Sequence, residues 1–319
     1  MVPRNAQIMD CGRFVFASAG AKRFFFAPKR LFRPRRAPEI GEGGLWAGLS
    51  PREDNAMAFF HIRYFSNCLR RMTSFEMLIP NDYRTDSGQK PPEEPMRTLF
   101  LLHGYTGMSE NWVPAGLPEK YNFAIVMPTA ENSFYLNGAA TGSAYQSMVG
   151  EELPDYVQRT FGLANGPEDT FIAGISMGGF GALHTALAYP DRFGKAACLS
   201  SALIVHGIAG MKPGEDNGVA NYDYYRACFG DLDRVEESDA NPETLVKKLK
   251  AAGKKIPDLY LCCGSEDFLI EPNRAMHRFL ENEKVPHEYH EGPGIHDMVF
   301  WSKWIEKALD WMFIKPLRR

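Results

Sequence analysis

The chain lacks any long apolar run. Nowhere in its 319 residues does an apolar stretch approach the roughly 20 residues that a membrane-spanning helix needs, so we expect no membrane partner. Its net charge of −3 gives no reason to expect a nucleic-acid partner. Its six cysteines include no C-x-x-C pair, and Cys262 and Cys263 lie in an apolar segment that is typical of buried thiols. These absences predict a globular protein of a reducing cytoplasm that uses no metal or other cofactor.

The first 56 residues differ in composition from the rest. They carry ten Lys or Arg and five Asp or Glu, whereas residues 57–319 carry 26 and 34. Pro and Arg interrupt every apolar cluster in "KRFFFAPKRLFRPRRAP", so no periodic face continues long enough to fold. A secretory signal needs a cleaner apolar core than "FVFASAGA", and a transit peptide fits the Arg-rich composition but lacks an amphipathic repeat. We expect the natural chain to begin at Met57 and residues 1–56 to be a disordered or non-native extension.

Residues 57–319 alternate between strand-like and helix-like segments. "FFHIRYF" and "TSFEMLIP" are close enough to pair as a hairpin. The further strand-like segments are "RTLFLLHG", "FAIVMP", "TFIAGI", "AACLSS", "DLYLCCG" and "HEYHEG", and the helix-length stretches are 143–161, 177–188, 242–252, 270–284 and 298–314. The continuous apolar runs are typical of a parallel sheet that is buried on both faces. The pattern predicts an α/β fold with a mostly parallel eight-stranded sheet, helices on both faces and an antiparallel start.

One segment interrupts this alternation. Residues 205–241, "VHGIAGMKPGEDNGVANYDYYRACFGDLDRVEESDAN", are too long for a plain connection and are rich in Gly, Asp and Tyr. An insertion on the carboxyl side of a parallel sheet usually covers the ligand crevice. We therefore interpret residues 205–241 as a small cap.

The stretch "FIAGISMGGFGALHTALAYP" contains the pattern G-x-S-x-G around Ser176. The serine follows a strong strand and precedes an amphipathic helix, which is where a nucleophile elbow occurs. A turn this sharp brings backbone against backbone, so side chains at Gly174 and Gly178 would collide with neighbouring segments. The N-terminus of a helix also favours the anion that forms during nucleophilic attack. The context therefore indicates that Ser176 is a nucleophile.

A serine nucleophile needs a base and an acid that orients the base. On this fold both follow later strands. Glu266 and Asp267 come directly after "YLCCG", and His296 comes after the last strand in the loop "GPGIHDM". The chain order of serine, acid and histidine is the one expected for this fold.

The remaining histidines have simpler interpretations. His61, His277, His287 and His290 fall on strand or helix faces, where packing or solvent contact is usual, and His184 lies inside the helix after the serine. The two histidines of "HEYH" are three residues apart, which in a strand points them to opposite faces, so we expect no metal site there. Asp297 adjoins His296 and cannot readily reach the far side of its ring.

Ester hydrolysis also needs donors for the oxyanion. The amide of Met177, directly after the nucleophile, is one candidate, and the amide of Tyr105 in the loop "HGYTGMSENW" is the second. We expect His103 and Gly104 to shape this loop. Several aromatic residues are candidates for an acyl or feruloyl pocket, although core packing explains each equally well; they are Trp112, Tyr135, Phe180, Phe268 and Trp301.

Six blocks of sequence together resemble a known family: "FLLHGYTGMSENW", "FAIVMPTAENSFY", "MVGEELPDYVQRTF", "FIAGISMGGFGAL", "CGSEDFLIE" and "GPGIHDMVFW". The chain resembles the α/β-hydrolase esterases of the esterase D and tributyrin-esterase group. These are near the acetyl and feruloyl esterases of carbohydrate esterase family 1 and the S-formylglutathione hydrolases. The resemblance covers residues 57–315. It implies a serine carboxylesterase that acts through an acyl-enzyme, with Ser176 as nucleophile and His296 as base and then acid.

The resemblance also favours Asp267 over Glu266 as the orienting acid and implies the Tyr105 and Met177 amides as the oxyanion hole. We expect short acyl esters from acetyl to butyryl as substrates, including acetylated or feruloylated carbohydrates. The loop at Tyr105 lacks a cysteine that S-formylglutathione hydrolases often have there, which places the thioesterase interpretation second. A non-catalytic binding module on this fold is a third interpretation, and it usually lacks a triad member. The sequence leaves open whether the chain forms a homo-oligomer.

Overall fold

A computed structural model describes residues 57–80 and 95–317 of the chain. The interpretation of residues 1–56 as an extension therefore lies outside the described residues. Within them, eight strands form one sheet. The strands are β1 (Ala58–Ser66), β2 (Arg71–Ile79), β3 (Arg97–Leu102), β4 (Phe123–Pro128), β5 (Thr170–Ile175), β6 (Lys195–Leu199), β7 (Asp258–Gly264) and β8 (His287–Gly292).

The strand order in the sheet is β1-β2-β4-β3-β5-β6-β7-β8. β1 and β2 pair antiparallel, β2 and β4 pair antiparallel, and the other neighbours pair parallel. The central strands β4, β5, β6 and β7 are buried along their whole length, as their continuous apolar sequences predict. The mostly parallel sheet with an antiparallel start is therefore confirmed.

Helices cover both faces of the sheet. They are α1 (Leu117–Tyr121), α2 (Tyr145–Ser147), α3 (Leu153–Phe161), α4 (Met177–Ala188), α5 (Val205–Ile208), α6 (Tyr222–Phe229), α7 (Pro242–Ala251), α8 (Ile270–Asn282) and α9 (Met298–Ile314). Apolar residues of α3, α4, α7 and α8 form one core layer with the sheet, and those of α1 and α9 form the other. No helix in the described part of the chain is both long and apolar enough to cross a membrane.

The predicted helix at 143–161 is interrupted. A π-helical turn at Met148–Glu152 separates α2 from α3. A side chain at Gly150 would lie 2.2 Å from the ring of Tyr189, so this glycine allows the helix to approach the end of α4 closely. The Glu152 carboxylate at the end of the turn accepts hydrogen bonds from the Ser66 hydroxyl at 2.5 Å and the Asn67 amide at 2.6 Å. The turn thus directs Glu152 toward the end of β1, which the 3.6-residue period does not predict.

The segment 205–241 contains α5, α6 and a short 3-10 turn at Val235–Glu237. Its buried side chains, which include Tyr225 and Phe229, belong to the same core layer as α4. The ring of Phe229 lies 4.9 Å from the ring of Phe134 and 5.8 Å from the ring of Phe180, between ring centroids. We keep the name cap for residues 205–241, and these aromatic contacts fix its position on the rest of the domain.

Two basic side chains hold the C-terminal end of α9. Lys195, at the start of β6, is only 2% exposed. Its ammonium donates to the carbonyl oxygen of Met312 at 2.7 Å and also to those of Trp311 and Lys315. Arg97 Nη1 donates to the carbonyl oxygen of Phe313 at 2.9 Å. A helix end leaves most of its last carbonyls without backbone partners, and these donors bond to carbonyls there, where positive charge is favourable.

We expect Lys195→Met to destabilise the protein by about 2–4 kcal/mol, because the buried carbonyls at the end of α9 lose a charged donor. Urea denaturation followed by tryptophan fluorescence measures this change. Lys303→Met is the matched control, since Lys303 is exposed on the same helix and its loss should cost no more than about 0.5 kcal/mol. Equal midpoints for the two variants would contradict the role given to Lys195.

Candidate active site

The backbone is strained at Ser176, between β5 and α4. Its φ of 55° and ψ of −118° lie in a region that residues other than glycine rarely adopt. A Cβ at Gly174 would lie 2.2 Å from the Gly178 carbonyl oxygen, and one at Gly178 would lie 2.3 Å from the Leu102 carbonyl oxygen. Both glycines are therefore required by close contacts between backbone segments. This arrangement is that of a nucleophile elbow.

The structure brings together Ser176, His296 and Asp267. The distance from Ser176 Oγ to His296 Nε2 is 2.9 Å. On the other side of the ring, His296 Nδ1 lies 2.8 Å from Asp267 Oδ2 and 3.1 Å from Oδ1. Asp267 can only accept when ionised, so Nδ1 carries the proton and Nε2 is the acceptor that faces the serine hydroxyl. The imidazole is thus oriented to take a proton from Ser176.

The side chain of Asp267 has no exposed surface. This burial disfavours its charged form, but hydrogen bonds from His296 and from the Leu269 amide, the latter at 2.9 Å, outweigh it. The net result is that the pKa of Asp267 lies below its ordinary value. The carboxylate therefore remains ionised and can stabilise the imidazolium that forms during the reaction.

Glu266, the alternative acid, has a different place. Its carboxylate accepts a hydrogen bond from the Gly294 amide at 2.6 Å, and this bond lowers the pKa of Glu266 below its ordinary value. Its own amide donates to the Gly294 carbonyl at 3.1 Å. Glu266 therefore holds the loop that carries His296 rather than the ring itself. Asp297 caps α9 by accepting from the Phe300 amide at 3.0 Å.

The two expected oxyanion donors lie on either side of the elbow. Met177 is the first residue of α4, where a helix has no internal acceptor for the amide. The amide of Tyr105 shares its peptide plane with the carbonyl of Gly104. That carbonyl accepts from His103 Nδ1 at 2.8 Å and from the Gly107 amide at 3.1 Å. Because a trans peptide points its N–H opposite to its C=O, these bonds fix the direction of the Tyr105 donor.

His103 is held in one tautomer. Its Nε2 accepts a hydrogen bond from the Ala130 amide at 3.0 Å, so its proton is on Nδ1, which donates to Gly104. Burial lowers the pKa of His103 below its ordinary value. The neutral ring can therefore hold both partners, and His103 shapes the loop as the sequence predicts.

Two of the predicted pocket residues lie beside the triad. The ring of Phe268 is 4.6 Å from the ring of His296, between centroids, and Phe268 is 73% exposed. The ring of Trp301 lies 4.8 Å from the His296 ring on another side, at 86° to it. Trp301 is nearly buried, so Phe268 offers most of the open aromatic surface at this side of the site.

The expectation that Tyr135 and Phe180 line the pocket needs correction, because neither side chain has exposed surface. The Tyr135 hydroxyl donates to the His103 carbonyl at 3.0 Å, and its ring packs against Gly181, where a Cβ would lie within 2.3 Å. Phe180 packs among the aromatic rings of the core. Trp112 is nearly buried too and belongs to the core layer of α1 and α9.

Sequence reasoning missed a second loop, which holds residues 103–106, the oxyanion loop. Residues 129–135 follow β4, and three of them contact residues 103–106: the Ala130 amide, the Tyr135 hydroxyl and the Asn132 side chain, whose Oδ1 accepts from the Thr106 amide at 2.8 Å. The available signal was topological, because β3 and β4 are parallel neighbours and their carboxyl ends meet at one edge of the sheet. The signal does not identify which residue of "TAENSFY" makes each contact.

The histidines outside the triad lie in other surroundings. His184 is buried, and its Nε2 lies 2.7 Å from the Asp239 carbonyl. His277 Nδ1 lies 2.8 Å from His287 Nε2. The ring of His290 is tilted against the ring of Tyr260, and His61 Nδ1 lies 3.6 Å from Glu76 Oε1. Among the described residues, no group of three or more His, Cys, Asp or Glu side chains could hold a metal ion.

The adjacent carboxylates give a matched pair of variants. We expect Asp267→Asn to lower kcat by about 10³–10⁴-fold, because an amide donor facing Nδ1 favours the wrong tautomer. Glu266→Gln keeps an oxygen that can accept from the Gly294 amide, so its loss should stay within about tenfold. Steady-state kinetics with one activated ester measures both. Comparable losses, or a larger loss for Glu266→Gln, would contradict the assignment of the acid.

The chain is similar to known esterases in sequence and in structure. The Esterase family model matches residues 66–312. An acetyl esterase from Caldicellulosiruptor saccharolyticus is 40% identical over 261 residues, which cover 80% of this chain and 98% of that protein. FphF, a fluorophosphonate-binding serine hydrolase of Staphylococcus aureus, is 30% identical with a TM-score of 0.69, covering 81% of this chain and 98% of its own.

The apoenzyme of an S-formylglutathione hydrolase from Staphylococcus aureus is similar too. It is 29% identical, has a TM-score of 0.68 and covers 81% of this chain and 99% of its own. The family match spans more than two thirds of the sequence and includes β2 to β8, the elbow and the loops of Asp267 and His296. The chain therefore belongs to the Esterase family, with the α/β-hydrolase fold, and is a serine esterase.

Proposed function

We propose that the protein hydrolyses short-chain acyl esters through an acyl-enzyme, with Ser176 as nucleophile, His296 as base and then acid, and Asp267 as orienting acid. The observation that carries the proposal is the continuous hydrogen-bonded chain from Ser176 Oγ through His296 to Asp267, with distances of 2.9 Å and 2.8 Å. These distances are within the range for nucleophile and base side chains.

In the first half-reaction, Ser176 Oγ attacks the ester carbonyl carbon while His296 Nε2 takes its proton. The carbonyl oxygen becomes an oxyanion that the amides of Tyr105 and Met177 stabilise. The tetrahedral intermediate collapses as the bond to the alcohol oxygen breaks, and His296 gives its proton to that oxygen. Asp267 stays ionised throughout and stabilises the imidazolium. The products of this step are the free alcohol and the acyl ester of Ser176.

In the second half-reaction, His296 removes a proton from water, which attacks the acyl carbon. The oxyanion forms again in the same place, and the Ser176 oxygen leaves and takes the proton from His296. The acid is released and the free serine is regenerated. Both steps depend on the same two amides, so any change in their direction affects both.

We propose that the alcohol part of the ester binds beside His296. The leaving oxygen receives its proton from His296 Nε2 and must lie within hydrogen-bond reach of it. We place the alcohol beside the exposed ring of Phe268, which packs against the His296 ring. Ile295 and Met298, close to His296 in sequence, are 55% and 44% exposed. We propose that acetylated or feruloylated carbohydrates are among the esters, with the acyl part acetyl to butyryl in the simplest case.

The 40% identical relative is an acetyl esterase, which supports the short acyl group. A location in a reducing cytoplasm is part of the proposal. It is supported by the five cysteines of the described residues, all of which are free thiols.

A second candidate is a thioesterase of the S-formylglutathione hydrolase type. It is favoured by the 29% identical structure with that activity in its name. A formyl thioester and an acetyl ester both present a small acyl group to the same nucleophile, so the triad does not separate them. The difference lies in the thiol part, which in glutathione carries charged groups.

The proposal is tested with p-nitrophenyl acetate, butyrate and octanoate, methyl ferulate and S-formylglutathione. We expect acetate and butyrate to have kcat/KM values at least about tenfold above octanoate, since a pocket for short chains excludes extra methylenes. Ser176→Ala should lower kcat by on the order of 10⁶ with its unfolding midpoint unchanged. Activity retained in Ser176→Ala would refute the mechanism, and a preference for S-formylglutathione would favour the thioesterase.

The pH dependence provides an independent prediction. Asp267, with its lowered pKa, stays ionised to below the ordinary aspartate range near about 3.9. Loss of rate above that range therefore does not come from Asp267, and we assign it to the general base, because a protonated base cannot take the serine proton. We expect log(kcat/KM) to fall with a slope of about one as the pH decreases. A profile that is flat to about pH 4 would exclude a histidine base, and a slope of about two would require a second titrating group.

A further inference from the structure

The oxyanion loop contains a strained residue next to its proposed donor. Thr106, directly after Tyr105, has a φ of +62°. A β-branched residue rarely adopts this left-handed conformation, which persists only where surrounding contacts enforce it. The Thr106 amide donates to Asn132 Oδ1 at 2.8 Å. This bond comes from a residue 26 positions away in sequence and holds the peptide that joins Tyr105 to Thr106.

Asn132 is in turn held by the cap. Its backbone carbonyl accepts a hydrogen bond from the Tyr224 hydroxyl of α6 at 2.7 Å. Burial raises the pKa of Tyr224 far above its ordinary value, so the hydroxyl keeps its proton and remains a donor. The ring of Tyr224 also packs edge-on against the ring of Tyr105, with centroids 5.9 Å apart. Tyr224 therefore contacts both Tyr105, the proposed donor residue, and Asn132, which holds the next residue along the chain.

The loop that carries Asn132 has a specific backbone shape. Glu131, Phe134 and Tyr135 have φ values of 49°, 51° and 54°, which are unusual for residues with side chains. Its far end is fixed by the Tyr135 hydroxyl on the His103 carbonyl. The contacts at both ends define where Asn132 Oδ1 lies, so this loop can transmit the position of α6 to the oxyanion loop.

We propose that Asn132 is a positioning residue that couples cap helix α6 to the oxyanion hole. Its side chain fixes the Thr106 amide in the peptide that follows Tyr105, and so adds to the bonds at the Gly104 carbonyl that set the direction of the Tyr105 donor. Its carbonyl takes its position from Tyr224. This inference rests on the proposed function, because it assigns the Tyr105 amide to the oxyanion. Asn132 contacts no reacting atom, and its effect on the rate passes through the peptide at Tyr105.

The test is steady-state kinetics of Asn132→Ala with p-nitrophenyl acetate. Complete loss of one oxyanion donor costs about 10²–10³-fold in kcat, and a misdirected donor should cost less, so we expect kcat to fall about tenfold or more. KM should change less than about threefold, because the donor acts mainly on the transition state. Binding of a boronic acid, which forms a tetrahedral anion on the serine, should weaken by about the same factor as kcat.

A second variant tests the link to the cap. Tyr224→Phe removes the hydroxyl and keeps the ring against Tyr105, so we expect a smaller loss of kcat in the same direction. The double variant should be no slower than Asn132→Ala alone, because the hydroxyl acts through Asn132. Independent, multiplicative losses would overturn the coupling.

Two matched controls exclude a general structural effect. Asn137 lies on the same connection, and its Oδ1 accepts from the Ser147 amide at 3.0 Å. Tyr225 adjoins Tyr224 on α6, and its hydroxyl bonds to Asn217 within the cap. Asn137→Ala and Tyr225→Phe remove similar hydrogen bonds away from the oxyanion loop. We expect both to keep kcat within about twofold of the unaltered protein.

The outcomes separate this inference from the proposed function. If Ser176→Ala is active, the proposed function fails and the inference fails with it. If Ser176→Ala is inactive and Asn132→Ala keeps full kcat, or loses no more than Asn137→Ala, the inference alone is overturned. A rise in KM at constant kcat in Asn132→Ala would also overturn it, since that pattern indicates lost substrate binding.

Discussion

The active site depends on the contact of three backbone segments at the nucleophile elbow. Gly174 on β5 meets Gly178 on α4, and Gly178 meets the end of β3 at Leu102, at distances that leave no space for a Cβ. The first contact lets the chain reverse direction at Ser176 in a conformation that costs free energy. The second places α4 directly beside the residues that begin the oxyanion loop. This one set of close backbone contacts therefore determines both the conformation of the nucleophile and the position at which the oxyanion loop begins.

The base and the acid are positioned by a different set of backbone contacts. The loops after β7 and β8 are joined by the Ser265 amide on the Gly292 carbonyl at 2.8 Å and by two bonds between Glu266 and Gly294. A side chain at Gly264 would meet the Gly294 carbonyl at 2.2 Å. Asp267 and His296 thus lie on loops that are bonded to each other, which explains why two residues 29 positions apart can keep hydrogen-bond geometry.

The fold could be predicted largely from the sequence, because its strongest signals are local. Central strands such as "FAIVMP" and "TFIAGI" are buried on both faces, and their nearly continuous apolar sequences indicate this burial. Gly174 and Gly178 indicate the elbow in the sequence, because a sharp turn requires glycine at fixed positions around the serine. The π-helical turn at Met148–Glu152 was not predictable. It depends on the packing of the Tyr189 ring against Gly150 and on the hydrogen bonds of Glu152 at the end of β1. Hydrophobic periodicity predicts an isolated helix and carries no information about the elements that pack against it.

The parts of the site that depend on tertiary contacts could not be predicted from the sequence. Ser176 and His296 stand in motifs whose chemistry is visible in neighbouring residues, whereas Tyr135 could equally be a pocket or a core residue until its hydroxyl had a partner 32 positions away. Asn132 shows no motif at all, because its role is defined by Thr106 before it and by Tyr224, 92 residues after it. Reacting groups need particular side-chain chemistry, while the groups that direct a backbone donor need only an acceptor in the right place. Catalytic residues can therefore be identified from a single sequence. The residues that position them can be identified only from tertiary contacts.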